Sequence, residues 1–535
     1  MTQVSRPAGL RIVPVSDRAL IVEYPDLAGV LAHYPPLVEA SLLGVDELVP
    51  AASTVMVRYD PGVVSAAELA KMIRAVAPKQ AGETQFETVT IDVVYDGEDL
   101  ADVAGLLQVS VEELITRHTA AHWEVAFVGF APGFSYCQGD DELFDVPRRS
   151  SPRTRIPAGS VGLAGTFSAV YPRESPGGWQ LLGHSAAQMW SLDRDPPALA
   201  QPGQPVHYRA VREQIMVTDP AAEPPELGDA WCEITSSGPQ MLLEDLGRPG
   251  LLGQGVAASG AADRGALMAA NRAVGNDPGT AALEIAGGGA ELRFEARTLV
   301  GVAGADGPRS IISETRGELD LPDGVPMLVE PGDVVRIGGF TRGLRAYLAV
   351  RGGFGLEPIL GSLATDTLSG VGPDPLRSGD RLPVGGGSHG RVIWPDQVPS
   401  HQPLAAFRPP AAFDEIVELR VVLGPRTDWF TPEAIKLLTG QDWLVTPQSD
   451  RVGVRLEGAV PLDRVVTHEL PSEGAATGAI QVPSGGQPVL FLPDHPLTGG
   501  YPIIGSVADA DLDRIAQLVP GMKIRFVIDQ PFVEL

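Results

Sequence analysis

Glycine and proline interrupt almost every strand-like run of this sequence. The 535 residues include 62 glycines and 49 prolines, which fall inside or beside short stretches rich in valine, isoleucine and leucine. Such residues stand where a backbone turns tightly, approaches another group closely or ends a strand. We therefore predict a mainly β protein with α+β character, in which closed barrels protect the edges of short strands.

The chain is too long for one hydrophobic core, so we expect several domains. Composition changes mark two candidate linkers, one acidic and proline-rich, the other rich in glycine and proline. The predicted order is a small N-terminal α/β domain (1–87), a barrel (88–212), the acidic linker (213–231), a first lobe of the second half (232–385), the second linker (386–412) and a last lobe (413–535).

Local patterns predict individual elements within these domains. Residues 10–24 and 53–59 indicate strands because they are rich in valine and isoleucine. Residues 65–76 and 110–121 indicate helices, since each segment begins with a serine three residues before a glutamate, the capping-box pattern. Residues 261–274 give the clearest helical pattern of the second half.

A weak internal repeat links the two halves of the chain. Gly177-Gly-Trp-Gln-Leu-Leu-Gly183 is similar to Gly499-Gly-Tyr-Pro-Ile-Ile-Gly505. Downstream, Pro202-Gly-Gln-Pro-Val-His-Tyr208 matches Pro520-Gly-Met-Lys-Ile-Arg-Phe526. Both lobes thus end with the same turn and strand, which predicts a duplicated β-barrel.

Charge and cysteine content limit the partners and the compartment. The formal net charge is −27, so duplex nucleic acid and anionic membranes are poor partners. The only cysteines, Cys137 and Cys232, form no CxxC motif, which is typical of a reducing compartment. No apolar run reaches the length of a membrane span. We expect a cytoplasmic protein.

Several common catalytic motifs are absent from the sequence. No P-loop motif occurs, and none of the four lysines stands in one. No G-x-S-x-G elbow marks a serine nucleophile. Met522-Lys523 is similar to a biotin-carrier dipeptide, but the repeat places Pro205 at the equivalent position, so we expect no covalent biotin. His118 and His122 stand four residues apart, and we interpret them as part of a partly exposed helix face instead of a metal pair.

Arg148, Arg149, Arg153 and Arg155 form the one dense basic cluster of this acidic chain. Arginine forks match phosphate or carboxylate oxygens. The alternative is a solvated loop whose arginines pair with surplus acids. Both interpretations stay open at the level of the residues alone.

Polar residues also interrupt the strand-like runs of the last lobe. Such residues are either satisfied core groups or parts of a site. The residues alone leave both interpretations open, and the resemblance given below favours a site. They are Ser449, Asp450, Arg451, Glu473, Gln481 and Asp494.

Two sets of short motifs follow each other in order along the chain. The first set is Ser16-Asp-Arg-Ala-Leu20, Gly129–Phe134, Pro147-Arg-Arg149, Pro152-Arg-Thr-Arg155 and Pro157–Gly162. The second set is Asp245–Gly250, Ala270-Asn-Arg272, Gly275-Asn276, Pro447–Arg451, Ser472-Glu-Gly474, Gly478–Pro483 and Thr498–Pro502. Residues 10–212 resemble allophanate hydrolase subunit 1, also called the B component of 5-oxoprolinase or the Kip-type kinase inhibitor. Residues 232–530 resemble allophanate hydrolase subunit 2, also called the C component of 5-oxoprolinase.

The chain departs from these families at three motif positions. Ser16 stands where the family usually has glycine, His184 where it has arginine, and Ala262 where it has methionine. The fold that the resemblance implies is a set of cyclophilin-like β-barrel lobes plus a small N-terminal α/β domain. The same modules form the carboxyltransferase domain of urea carboxylase.

The resemblance implies the fused B and C components of an ATP-dependent 5-oxoprolinase, which opens 5-oxoproline to glutamate with the A component as a separate protein. ATP would phosphorylate the lactam carbonyl oxygen and convert it into a leaving group, mainly through positioning and charge neutralisation. Mg²⁺ would accompany ATP at Asp450 or Asp494. Glu473 and Gln481 would orient the substrate. We expect an oligomer whose ligand is a small lactam or amide.

His184 and further residues of the two sets would bind substrate or ATP, and the turns among them would shape the wall of a pocket. They are Arg148, Arg149, Arg153, Arg155, Gly133, Gly159, Ser160, His184, Ser449 and Arg451.

Two other functions stay open. One is the carboxyltransferase component of a urea carboxylase or urea amidolyase system that uses biotin carried on another protein. The other is a non-enzymatic inhibitor of a histidine kinase. Fusion of both modules in one chain favours an enzyme, because it fixes their ratio at one to one.

Overall fold

The computed structural model describes residues 10–79, 87–149, 153–213, 230–387, 390, 410–468 and 470–535. Within these ranges strands far outnumber helices, as predicted for a mainly β protein. None of the helices described there is long and apolar enough to cross a membrane. Most of the two predicted linkers, 213–231 and 386–412, lies outside the described residues.

The N-terminal unit is an antiparallel sheet in the order β1-β2-β4-β3 with two helices on it. Residues 10–24 were predicted as one strand, but they form a hairpin, because the Ser16 hydroxyl accepts the Arg18 backbone N–H at 3.1 Å and turns the chain. The second helix has the predicted capping box. The elements are β1 (Arg11–Ser16), β2 (Ala19–Glu23), α1 (Leu27–Ala40), β3 (Val45–Pro50), β4 (Thr54–Tyr59) and α2 (Ala66–Ala75).

The first barrel follows. Its elements are β5 (Val89–Val93), α3 (Leu100–Leu106), α4 (Val111–Ala120), β6 (Trp123–Val128), β7 (Ser135–Gly139), β8 (Arg153–Ile156), β9 (Ser160–Ala164), β10 (Phe167–Val170), β11 (Ser175–Gly177), β12 (Gln180–His184) and β13 (Pro205–Ala210). Seven strands pair in the order β12-β9-β10-β7-β6-β13-β5. A bridge between Val94 and His184 joins the two outer strands and nearly closes the sheet.

The next lobe packs a six-stranded sheet, β20-β19-β22-β17-β14-β24, against a five-stranded sheet, β15-β16-β23-β18-β21. Its helix begins at Arg264, three residues later than predicted, because the Asp263 carboxylate caps it. The elements are β14 (Trp231–Ser237), β15 (Gln240–Glu244), α5 (Arg264–Val274), β16 (Ala282–Ala286), β17 (Ala290–Phe294), β18 (Thr298–Asp306), β19 (Arg309–Ser313), β20 (Gly317–Asp320), β21 (Met327–Val329), β22 (Val334–Ile337), β23 (Arg342–Val350) and β24 (Arg381–Pro383).

The last lobe is a closed barrel in the order β25-β32-β29-β30-β27-β26-β33. Its elements are β25 (Ile416–Leu423), α6 (Pro432–Gly440), β26 (Trp443–Val445), β27 (Gly453–Glu457), β28 (Glu473–Gly474), β29 (Ala479–Gln481), β30 (Val489–Phe491), β31 (Thr498–Gly499), β32 (Ile503–Val507), α7 (Leu512–Ala516) and β33 (Lys523–Gln530).

The two barrels repeat the same strand order. In each, the first strand lies parallel to the last, and the remaining strands follow in the same sequence around the sheet. The buried rings of Trp123 and Trp443 each donate their indole N–H at 2.9 Å to the carbonyl five residues earlier. Gly159 and Gly478 take equivalent left-handed turns. The predicted duplicated barrel is confirmed.

One interpretation of the α4 region is wrong. His118 was expected on a partly exposed helix face, but its side chain is fully buried. The ring bonds the hydroxyl of Tyr95 at 2.7 Å and that of Ser168 at 3.1 Å. Leu438 occupies the equivalent position in the second barrel, so His118 is a satisfied core residue.

Candidate functional site

A groove of about 990 Å³ opens where the N-terminal unit and the two barrels meet. This volume is in the range of small-molecule sites. We call it the central groove. The start of α1 contributes an apolar wall at Leu27 and Leu31, and polar side chains from the two barrels form what we call the polar wall. The residues that line it and carry the argument below are Leu27, Leu31, Tyr136, Arg148, Phe167 and Ser472.

The polar wall combines side chains from both halves of the chain. Tyr136 is 4% exposed, and its hydroxyl lies beside those of Ser472 and Thr498 and near the Arg148 guanidinium. Burial raises the pKa of Tyr136, and the Arg148 charge and the two hydroxyls oppose that shift. The phenol therefore stays protonated at neutral pH and can donate or accept a hydrogen bond.

Two consecutive glycines make room for this wall. A Cβ atom on Gly500 would lie 2.7 Å from Nη1 of Arg148, and one on Gly499 would lie 2.8 Å from Nε2 of Gln481. Neither position could carry a side chain without moving these polar groups. The Gly-Gly pair thus lets Arg148 pack against Gly500 and Gln481 pack against Gly499 at the same strand end.

The ribbon that carries Ser472 is fixed by a buried ion pair. Glu473, the first residue of β28, accepts from Nε of Arg426 at 2.9 Å, and both side chains are buried. Burial raises the pKa of Glu473, while the Arg426 charge opposes the shift. Glu473 thus fixes the ribbon next to Ser472 and does not itself line the groove. Its Oε1 has no hydrogen-bond donor among the described residues.

The first barrel has the same ion pair with the charges exchanged. Asp99 and Arg426 occupy equivalent positions in the two barrels. The backbone N–H of Asp99 donates to the carbonyl of Leu181 in β12, and that of Arg426 donates to the carbonyl at the matching position of β32, Ile503. Arg153 lies opposite Gly177 in the two-stranded ribbon of β8 and β11, and Glu473 lies opposite Gly499 in the ribbon of β28 and β31. Arg153 donates to Asp99 at 2.9 Å. The pair is retained in both barrels, which indicates that it stabilises the ribbon.

The basic cluster of the sequence does not form a phosphate cradle. Arg149 lies 2.5 Å from Asp99 and Arg153 bonds both Asp99 and Glu98. Arg155 pairs with Glu174 at 2.6 Å on the surface. Of the four arginines only Arg148 lines the central groove, where Asp26 and Asp145 also lie. This part of the described structure does not fit a triphosphate, which needs several cations together.

Arg451 and Asp494 do come together, but inside the protein. Arg451 is 2% exposed. Its Nε donates to Asp494 at 3.0 Å, its Nη1 pairs with Glu284, and its Nη2 lies 3.2 Å from Glu244. Burial would raise the pKa of Asp494, but the Arg451 charge and the hydrogen bonds from Arg451, Thr367 and Ser259 together lower it. Burial raises the pKa of Glu244 well above its ordinary value.

Of the two carboxylates expected to hold Mg²⁺, Asp494 is surrounded by protein donors. Asp494 also accepts from the hydroxyls of Ser259 and Thr367, both at 2.7 Å, and is fully buried. Asp450 accepts two backbone N–H groups and closes a turn. No group of three metal-ligating side chains occurs within the ranges that the structure describes.

The remaining sequence-predicted residues serve local structure, and the structure does not bring them to the groove. The hydroxyls of Ser160 and Ser449 donate to carbonyls three residues earlier in their turns. Gly133 and Gly159 adopt left-handed turns that pack against neighbouring backbone. His184 bonds Asp96 at 2.8 Å and is half-exposed.

Stability should depend on pH through Asp263, which caps α5. Burial and the nearby Asp513 charge raise the pKa of Asp263 to about 7. The folded state therefore binds a proton that the unfolded chain releases near pH 4. The stabilisation of the folded state by this bound proton is fully present below pH 4 and is lost as the pH rises towards 7. Since one pKa unit corresponds to about 1.4 kcal/mol, the loss is at most about 4 kcal/mol.

Asp263→Asn keeps a capping oxygen and removes the titration. We expect its melting temperature to fall less than that of the wild type between pH 5 and pH 7.5, measured by calorimetry. Asp277→Asn, at an exposed position, should follow the wild type. Parallel curves for Asp263→Asn and the wild type would contradict the assignment.

Sequence reasoning missed Tyr136, Asp99 and Arg426. Tyr136 ends the glycine- and proline-rich segment, and Ser472 stands in the motif Ser472-Glu-Gly474, so both positions carried a signal. Asp99 and Arg426 stand in ordinary loop sequence, and only the barrel topology brings each of them to the paired ribbon.

Comparison with known proteins agrees with this architecture. The family model for subdomains C and D of the carboxyltransferase domain matches residues 10–200, and the model for subdomains A and B matches residues 254–528. The C component of 5-oxoprolinase from Escherichia coli is 30% identical over 306 residues, covering 55% of this chain and 90% of that protein. The B component of 5-oxoprolinase from Escherichia coli O157:H7 is 35% identical over 192 residues, covering 35% of this chain and 85% of that protein.

A solved structure shares the whole arrangement. The crystal structure of TTHA0988 aligns with a TM-score of 0.79 at 30% identity, covering 95% of this chain and 99% of that one. The resemblance inferred from the motifs is thus confirmed for both halves of the sequence. The chain belongs to the carboxyltransferase-domain family and joins in one polypeptide the modules that the two relatives carry on separate chains.

Proposed function

We propose that this chain is the fused B and C component of an ATP-dependent 5-oxoprolinase and that the central groove binds 5-oxoproline. The observation that carries the proposal is the shared construction of the groove. Tyr136 and Arg148 come from the B-like module, and Ser472 comes from the C-like module. A site divided in this way needs both modules, which agrees with relatives named as the B and C components of 5-oxoprolinase.

The groove offers groups that match the lactam. The carboxylate of 5-oxoproline would pair with Arg148 in a charge-assisted contact. The lactam carbonyl and N–H would bond the hydroxyls of Tyr136 and Ser472, each of which can donate and accept. The ring methylenes would contact the apolar wall at Leu27 and Leu31.

Nucleotide binding is proposed for the assembled enzyme. The names of the relatives imply a complex with other components, and we propose that a protein like the A component of 5-oxoprolinase completes it. Because Arg149, Arg153 and Arg155 already pair with carboxylates, we assign the phosphates to none of them. The chain's own part is to bind and orient the lactam.

Phosphate release tests the proposal. The purified chain together with an A-component partner should release phosphate from ATP only when 5-oxoproline is present. Stimulation by urea with a biotin carboxylase and biotin carrier, and none by 5-oxoproline, would overturn it.

Arg148→Gln should lower kcat/KM for 5-oxoproline about 100-fold, mainly through KM, because a charge-assisted contact contributes about 2–3 kcal/mol. Steady-state phosphate release measures the effect. Arg209→Gln removes an exposed arginine that pairs with Asp92 on the barrel surface and should leave kcat/KM unchanged. Equal kinetics for both variants would contradict the role of Arg148.

A second candidate is carboxyl transfer to a small amide. Two observations favour it. Both matched models describe carboxyltransferase subdomains, and a groove of about 990 Å³ is larger than a five-membered lactam. This function would use biotin carried on another protein, and it predicts activity that depends on that carrier.

A further inference from the structure

A buried hydroxyl, that of Thr498, lies behind the polar wall of the central groove. Thr498 opens the motif Thr498–Pro502 and is the first residue of β31, but it does not line the groove itself. The residue is 2% exposed, and its Oγ1 has no hydrogen bond of standard geometry with any of the described residues. Buried hydroxyls are seldom left without a partner, because they lose their bonds to water on folding. The place of this hydroxyl therefore needs a physical reason.

Gly129, the first residue of the motif Gly129–Phe134, makes room for this hydroxyl. A Cβ atom on Gly129 would lie 2.9 Å from Oγ1 of Thr498, 3.2 Å from its Cγ2 and 3.6 Å from Cε2 of Tyr136. The φ angle of Gly129 is not positive, so glycine provides space at this position and no special backbone conformation. The missing side chain lets Thr498 from the C-like module and Tyr136 from the B-like module pack against the same backbone atoms.

The phenol oxygen of Tyr136 is the acceptor that this hydroxyl meets. Burial raises the pKa of Tyr136, whereas the Arg148 charge and the hydroxyls of Thr498 and Ser472 oppose the rise. A hydroxyl has this effect when it donates its proton to the phenol oxygen, which stabilises the phenolate. Such contacts are often poorly aligned before a ligand binds and tighten in the complex.

The direction of these bonds decides what the groove offers a ligand. A phenol oxygen that accepts protons from neighbouring hydroxyls keeps its own O–H to donate. Tyr136 lines the groove, so its proton is directed to the ligand. Ser472, whose proton is also given to Tyr136, keeps its lone pairs and can accept from the ligand.

We propose that Thr498 is a positioning residue of the central groove, whose hydroxyl donates to the Tyr136 oxygen and turns the Tyr136 O–H towards the ligand. Tyr136 then recognises a carbonyl oxygen, and Ser472 accepts an N–H group. For the choice of ligand this inference rests on the function proposed above. In 5-oxoproline, the lactam oxygen would meet Tyr136 and the lactam N–H would meet Ser472.

The keto acid 3-oxocyclopentanecarboxylate and plain cyclopentanecarboxylate are matched probes, because both have a five-membered ring and a carboxylate and they differ in one carbonyl. Calorimetric titration of the full chain at pH 7.5 should show about tenfold tighter binding of the keto acid, the effect of one hydrogen bond. Tyr136→Phe removes the donor and should abolish this preference.

Thr498→Val keeps the branched side chain and removes its hydroxyl. The preference for the keto acid should fall to about threefold, because the phenol is no longer held by a donor and cooperative bonding is lost. Thr498→Ser restores the hydroxyl and should restore the tenfold preference, which a purely structural role of the threonine methyl group would not do.

Thr446→Val is the matched control, because Oγ1 of Thr446 is also buried without a partner among the described residues and Thr446 does not line the groove. It should keep the tenfold preference. Melting temperatures show that each variant is folded. Equal affinities of the wild type for the two probes, or an unchanged preference in folded Thr498→Val, would overturn the inference.

These titrations use the chain alone and no nucleotide. Their outcome is therefore separate from that of the phosphate-release assay, which tests the proposed function. A chain that prefers the keto acid but releases no phosphate with 5-oxoproline would retain the role of Thr498 and lose the proposed reaction.

Discussion

Arg451→Ala should lower the melting temperature by about 10 °C, the largest effect expected from one substitution in this protein. The change leaves Asp494 buried without its cation and leaves Glu284 with Arg345 as its one remaining cation among the described residues. Removing one partner of a buried charge network costs about 3–5 kcal/mol, because the remaining charges are desolvated and unpaired. One kcal/mol corresponds to about 2–4 °C for a domain of this size. Differential scanning calorimetry measures the shift.

Arg455→Ala is the control for this prediction. Arg455 lies four residues away on the same hairpin, but its side chain is exposed, so its loss should change stability by less than about 0.5 kcal/mol. If the two variants melt together, the network around Arg451 does not stabilise the junction between the two lobes of the C-like module.

Arg426→Ala is expected to have the second largest effect, again about 3–5 kcal/mol. It leaves Glu473, 1% exposed, without its cation in the ribbon behind the central groove. Urea titration followed by near-ultraviolet circular dichroism should show a lower midpoint. The double variant Arg426→Met with Glu473→Met removes both charges and should recover most of the loss.

The charge-exchanged pair in the first barrel provides the matched comparison. Arg153→Ala leaves Asp99 with Arg149 at 2.5 Å and with the Leu181 backbone N–H at 2.7 Å. Because Asp99 keeps these partners, the cost should be about 1 kcal/mol. Equal losses of stability for Arg153→Ala and Arg426→Ala would contradict this expectation. They would mean that Arg149 and the Leu181 backbone N–H do not compensate Asp99 for the loss of Arg153.

Much of the fold follows from local patterns. The repeat of residues 177–183 at residues 499–505 predicts two barrels, because strand and turn residues keep their spacing when a barrel is duplicated. The capping box at Ser65 predicts α2 for a similar local reason. The hairpin at residues 10–24 escaped prediction, because Ser16, Asp17 and Arg18 are only three polar residues within a long apolar run.

The candidate site was predictable only in part. Arg148 and Gln481 were predicted as site residues, and they lie against the consecutive glycines Gly500 and Gly499. The adjacent Arg149 has the same side chain as Arg148 but pairs with Asp99, and Asp494 pairs with Arg451 inside the protein. Sequence shows which groups can carry charge, but it does not show which acids will neutralise them, since those acids come from distant segments.

The contacts of the N-terminal unit have a consequence for how the two modules stay together. Its backbone and side chains bond both lobes of the C-like module, through Ala52 to Ser472, Asp17 to Asp509 and Glu47 to Gly250. Separate chains would have to find each other by diffusion, and their association would follow mass action. Here the covalent connection sets an effective concentration on the order of millimolar. The groove that both modules build therefore stays assembled at any dilution of the protein.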